Sequence, residues 1–484
     1  MQPLKYRALT SDKKSQLYKR NLVTPRRGKT INTPTNVDNN TSFFFSRYMY
    51  MSRLNKTANP QDSMKYRRRN AAETHLIGGI RIALVLLGVM IALPAFMMGA
   101  SISQALGVMG GIQASLIGGL VLALVALPAA IAGAQSRKNS YQLIQQAFGE
   151  RGGLLVNVVV VIAILGWFGV IAMMFGRAFQ PTLPTTLATI PVNWLAFFGC
   201  TLMTLLTIFG FRALDLLSVL ASPFKIVVLL WTLIAALANV KWSTVLDTVP
   251  THDFSMTTGI SMVVGGIMTG AMLAPDISRF ARTPKQAAFA CALAYGVGFP
   301  LVLILSGIPS VATGQMDIVT IMLSLGLGIP AMIAVLLIAL TTNAYNLYAS
   351  TLILSTLTPL RPKWQLALAA AGVGTTAGLM GISEGFVPYL ILLSISIPPI
   401  AGVYLTNYYL GARLALTGEG TQWRTEAFLA WIAGSGFAYA ANHIHFVVTS
   451  IPPLDSLLVS SLTYVCLRYL MARAQVARLE RQDS

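Results

Sequence analysis

Residues 85–101 read VLLGVMIALPAFMMGAS, an apolar run with Pro94 near its middle and Gly88 and Gly99 on either side. Proline removes a backbone donor and crowds the preceding turn, so a helix through this run is interrupted. The interruption is cheap in water and expensive in lipid, where every freed backbone group needs a partner from protein or from a water-filled cavity. Composition places the run in lipid. Of 484 residues, 55% are hydrophobic and only 11% charged, and the mean hydropathy is +0.66; soluble domains carry roughly 25% charge.

Working outward, twelve apolar segments of about the ~20 residues that cross a bilayer lie at 78–100, 112–135, 153–176, 192–211, 214–239, 257–275, 286–310, 320–356, 364–381, 386–410, 427–447 and 453–473. The expected fold is therefore an all-α integral membrane protein with twelve transmembrane helices. The eighth segment is long enough to include a short lead-in at Ile321–Gly328. A second interruption is expected in the sixth, SMVVGGIMTGAMLAPDISRF (261–280), with Gly265, Gly266 and Gly270 in its middle and Pro275 near its end. Breaks in spans one and six are what a five-plus-five inverted repeat produces, each repeat opening with a discontinuous helix at the midplane site. The other reading of the glycines is close helix packing; the matched spacing favours the repeat. In that arrangement the third and eighth spans also line the site.

The formal charge of +19 would suit nucleic acid, but its distribution points to a membrane. Lys and Arg collect on alternate loops: Arg137, Lys138, Arg151, Arg212, Arg279, Arg282, Lys285, Arg361, Lys363, Arg413 and Arg424 against Arg177 and Lys241. By the positive-inside bias both termini face the cytoplasm across the plasma membrane. Residues 1–76 hold sixteen Lys or Arg and four acids, a basic segment expected to be disordered. It is open to two readings, a tail held against anionic lipid or an overlong start, since Met49, Met51 and Met64 precede the first span. The expected organisation is this segment, a transport core at 78–410, and two further helices with a basic tail at 411–484.

Cys200, Cys291 and Cys466 form no disulfide or metal-ligand pattern, and His443 and His445 read as interfacial. No paired histidines or carboxylates lie at depth, which argues against an embedded enzyme, and no cofactor is expected. The polar groups that do lie at depth are on the eighth span, ALTTNAYNLYAS (339–350). Thr342 and Asn346 are one turn apart, as are Asn343 and Asn346, so one helix side presents hydroxyls and amides to the interior. Thr341 and Thr342 suit a small hard cation, completed by freed carbonyls around Ala92 and Ala95; a site without a carboxylate suits Na+. The other reading is that the threonines bond back to their own helix. In the third span, ILGWFGV, Trp167 is flanked by Gly166 and Gly169, which leaves space beside the indole for a planar ring. Asp276 and Arg279 read as an ion pair or inner-gate contact, with proton coupling as the other reading, and Glu384 as a solvated loop residue.

GWFGV (166–170), APDISRFART (274–283), TTNAYNLYAS (341–350) and IPPIAGVYLTNYYL (397–410), in this order and spacing, resemble the nucleobase:cation symporter-1 family, most closely its bacterial cytosine permeases. The resemblance covers residues 78–410. It implies a LeuT-type fold that imports a nucleobase or hydantoin-like ring with Na+, or with H+ in some branches, by alternating access; a substrate sensor on the same fold is the alternative. It implies that Trp167 stacks on the ring, and that Thr269 bonds it together with nearby backbone at Gly266. It further implies that Asn343 and Asn346 supply amides, and that Thr341 and Thr342 bind the cation with carbonyls of Ala92, Ala95 and Ile338. The family's glutamine before the tryptophan is here Ile164, its aromatic in the sixth span is Ile267, and its Asp-Tyr in the tenth is Asn407-Tyr408, which puts cytosine itself in question. The implied partners are a small heterocycle and membrane lipid, with the chain working as a monomer and no nucleic acid bound.

Overall fold

The computed structural model describes residues 76–238, 243, 254–358, 360–382, 384, 389, 392–393, 395–411, 421–444, 448–449 and 451–482. The basic segment 1–75, Lys241, Arg413 and the imidazoles of His443 and His445 lie outside the described residues.

Helix α1 (Gly79–Met90) ends where Ile91 and Ala92 leave helical geometry, Ala92 at φ −132° and ψ 152°. Helix α2 (Leu93–Ser136) opens with Pro94 in its first turn, where the missing N–H has no helical partner to lose. Gly107 divides α2 at φ 73° and ψ 168°, a conformation open to glycine and costly for other residues. Residues 93–106 thus complete the first span and 108–136 form the second. The polar break expected at 101–111 is a turn at one residue.

Then follow α3 (Ser140–Phe148), α4 (Glu150–Phe179), α5 (Val192–Ile208) and α6 (Phe211–Ala238). The sixth span is α7 (Met256–Met272) and a short α8 (Pro275–Ser278). Its break falls at Leu273–Ala274 rather than among Gly265, Gly266 and Gly270, which stay helical. Each glycine weakens a helix by only about 1 kcal/mol, whereas Pro275 removes a bond and its ring crowds the residue four earlier.

Helix α9 (Pro284–Cys291) widens into a π turn at Ala292–Gly298 and continues as α10 (Phe299–Thr313). The lead-in expected before the eighth span is a separate helix, α11 (Ile318–Ser324), ahead of α12 (Gly328–Leu357). After these come α13 (Lys363–Leu379), α14 (Pro398–Leu410), α15 (Thr425–Ile444) and α16 (Pro452–Gln482). Each of the twelve expected segments therefore contains a helix, and among the described residues 7 helices are long and apolar enough to cross a membrane. Among the described residues the only β pairing is an isolated bridge, Ile77 with Ala281.

The packing places the two interrupted spans together. Helix α2 lies against α7 and α10, while α12 lies against α4, α5, α6 and α1. Arg81 of α1 pairs with Asp215 of α6. At the far end of α2, Arg137 donates to the carbonyls of Arg279 (2.8 Å) and Ala281 (2.5 Å). Asp276 is buried and accepts from the Ser140 backbone (2.8 Å) and hydroxyl (2.5 Å). The ion pair expected between Asp276 and Arg279 does not form; the carboxylate instead holds the start of α3, and the Arg279 guanidinium lies 4.7 Å over the Phe280 ring. Glu384 is exposed, as expected of a loop residue.

Candidate substrate cavity

The last carbonyls of a helix have no partner within it and carry a partial negative charge. At the end of α1 they meet α12. Thr342 donates to Val89 O at 3.0 Å. The single hydroxyl hydrogen of Thr341 has three carbonyls in reach, Gly88 at 3.1 Å, Leu337 at 2.8 Å and Ile338 at 3.1 Å. Both threonines are therefore used between helices, and back-bonding is only one of the options open to Thr341.

A third group completes this junction, and it lies on neither set of loops. Lys225 of α6 is 1% exposed, and its Nζ donates to Thr341 Oγ1, to Gly88 O at 2.9 Å and to Ile91 O at 3.5 Å. The signal was in the sequence: a lone lysine inside FRALDLLSVLASPFKIVVLLWTLIAALA is by default a functional residue at bilayer depth. The expected Na+ site at Ala92, Ala95, Ile338, Thr341 and Thr342 does not fit this arrangement. An ion on Thr341 would share its hydroxyl with an ammonium, and two unit charges 4 Å apart repel by about 4 kcal/mol at an effective dielectric of 20.

Beside the junction lies a cavity of about 80 Å³. Ala92 and Ala95 at the first break, Ile164 and Trp167 of α4, Gly266, Ile267 and Thr269 of α7, and Thr342 and Asn346 of α12 all line it. Tyr345, Phe299 and Met98, which the sequence reading did not assign, line it too. Most of the wall is apolar. Among the described residues the Thr269 hydroxyl bonds no protein group, and Asn346 makes one bond, from Nδ2 to Asn343 Oδ1 at 3.3 Å. Both retain capacity for a ligand.

Asn343 itself is not on the wall, contrary to the sequence reading. It is fully buried and donates to Phe168 O at 2.9 Å and towards Met203 Sδ at 3.4 Å. The side chain fills the contact of α12 with α4 and α5, so it acts as a brace for Asn346. Ile338 and Thr341 also stand back from the cavity.

Trp167 is half-buried on the wall. The room expected beside it at the flanking glycines is taken. A Cβ on Gly166 would lie 2.7 Å from the Tyr389 ring, and one on Gly169 would lie 2.8 Å from backbone atoms of Gly374 and Gly378. These glycines serve close approach to α13 and to Tyr389. The indole meets Tyr389 edge-on, centroids 5.7 Å apart at 75°, and the Tyr389 hydroxyl donates to Ala163 O. The indole is thus held by protein contacts while the residue still borders the cavity.

Known proteins share this architecture. Mhp1, a nucleobase-cation-symport-1 family transporter solved closed with bromovinylhydantoin bound, superposes with a TM-score of 0.70 at 19% identity, covering 84% of this chain and 94% of Mhp1. A Na+-coupled sialic acid symporter superposes at 0.66 with 13% identity, over 82% of this chain and 91% of its own. Both likenesses concern the fold. In sequence, cytosine permease of Escherichia coli K12 is 28% identical over 407 residues, 83% of this chain and 94% of that protein. The model of the family described as permeases for cytosine/purines, uracil, thiamine and allantoin matches residues 78–449. The chain belongs to this family of multi-pass membrane transporters, the nucleobase:cation symporters that its four motifs resemble.

Proposed function

We propose that the protein imports a planar nitrogen heterocycle by alternating access, taking it up in the cavity between the two interrupted spans. The observation that carries this reading is the cavity wall: aromatic rings of Trp167, Tyr345 and Phe299, with the Thr269 and Thr342 hydroxyls and the Asn346 amide as scattered polar groups in an apolar surround. Such a wall suits a flat ring with few polar edges. Ile164 and Ile267, both on the wall, supply no hydrogen bonds and no second stacking face, which favours a less polar ring than cytosine. The chain acts in the plasma membrane with both termini in the cytoplasm, as the loop charges favour.

Uptake of labelled cytosine, uracil, allantoin and benzylhydantoin by cells expressing the full chain tests the reading. At least one is expected to accumulate above vector controls, and to lose that accumulation in Trp167→Ala. Ligand-induced thermal stabilisation without any accumulation would support a sensor on the transporter fold instead. For orientation, tags at residues 140, 283 and 478 are expected to be cytoplasmic, and tags at 183 and 248 external.

A further inference from the structure

The buried end of α1 needs positive charge, and the chain brings its own. We infer that the Lys225 ammonium stands where a coupling Na+ would sit, so that this protein binds and carries its substrate without Na+. The transport half of that statement rests on the function proposed above; the occupancy half rests on geometry alone.

An ammonium has three donors, and three oxygens surround Lys225 Nζ: Gly88 O, Ile91 O and Thr341 Oγ1. Two of them are carbonyls exposed where the first span unwinds, the groups a small cation would use. Among the described residues no carboxylate joins Lys225. Asp215, one acid of the same helix, is already paired with Arg81. The charge is therefore balanced by the negative end of α1, as a bound cation would be. Ser222, one turn before the lysine, has Ser218 O of its own helix at 2.6 Å and Leu84 O of α1 at 3.0 Å in reach of its single hydroxyl hydrogen, a close approach of α6 to α1. That contact aims the lysine stem at the break.

The consequence is a missing linkage. Where Na+ and substrate stabilise one state, each tightens the other by the same factor; with the site filled by a tethered ammonium, Na+ has no such leverage here.

The test uses the purified full chain in detergent, with NaCl replaced by choline chloride at constant ionic strength. Wild-type protein is expected to melt at the same temperature in both salts. Lys225→Ala and Lys225→Ser empty the site, leaving the two carbonyls and the hydroxyl. These variants are expected to melt lower in choline and to recover with rising NaCl. Sodium-specific stabilisation of the wild type would overturn the inference, and so would folded variants indifferent to Na+. Should neither variant fold, direct binding of radioactive Na+ to wild-type protein decides: saturable binding overturns it and none upholds it. No readout here involves transport, so failure of the function proposed above would leave these results standing, and the reverse.

Discussion

Asn346 on the cavity wall donates to Asn343 at 3.3 Å, and Asn343 donates in turn to the carbonyl of Phe168 at 2.9 Å. The relay assigns the two amides different work. Asn343→Ala leaves buried polar groups without partners, which costs about 1–3 kcal/mol, and it frees Asn346 to wander. A lowered melting temperature together with weaker ligand binding is expected. Asn346→Ala removes one cavity contact, so binding should weaken by about tenfold, one bond of ~1.4 kcal/mol, with little change in melting. An Asn343→Ala protein that melts like wild type would show that the brace is not one.

Among the described residues Trp167 presents the only indole on the cavity wall. Stacking of a base on an aromatic side chain is worth about 1–3 kcal/mol, so Trp167→Ala should weaken binding by that amount and Trp167→Phe by less. Ile164 lies on the same helix and the same wall. Ile164→Gln should therefore move preference towards cytosine, read as the ratio of cytosine to uracil or hydantoin uptake. An unchanged ratio would place discrimination elsewhere on the wall.

Much of this was legible in the sequence because lipid makes polar residues conspicuous. Pro94 placed the first break within three residues, and the eighth-span threonines and Asn346 led to the cavity and its neighbouring junction. What was not legible depended on partners distant in sequence. Gly166 and Gly169 suggest empty space in one dimension, yet Tyr389 and the backbone of α13 occupy it. Asn343 and Asn346 look equivalent at one-turn spacing, although only one of them reaches the cavity. Lys225 belongs to neither loop set, and nothing in its own span shows that its ammonium returns to Gly88.

Glu426 of α15 and Arg468 of α16 form a second ion pair at 3.0 Å, both side chains 6% exposed. Removing one partner of a buried pair strands a charge and typically costs about 3–5 kcal/mol, whereas replacing both by apolar groups of similar volume is often near neutral. Glu426→Leu or Arg468→Met alone should lower the melting temperature more than the double variant does. Equal and additive losses in a double-mutant cycle would mean that the two charges do not depend on each other.

The two threonines of the eighth span make the sharpest comparison, because they differ in what they hold. Thr342 lines the cavity and makes one neutral bond, to Val89 O at 3.0 Å. Thr341 is set back from the cavity and accepts from a buried ammonium. Replacing either by valine keeps the shape and removes the oxygen. A neutral bond is worth about 0.5–1.5 kcal/mol and one to a charged group about 1.5–3 kcal/mol. Thr341→Val should therefore cost more stability, while Thr342→Val should change ligand affinity more for a smaller loss of stability. Thermal unfolding and ligand titration on the same preparations give both orders. If Thr342→Val proved the more destabilising, the ammonium would not depend on Thr341, and Gly88 and Ile91 alone would have to hold it.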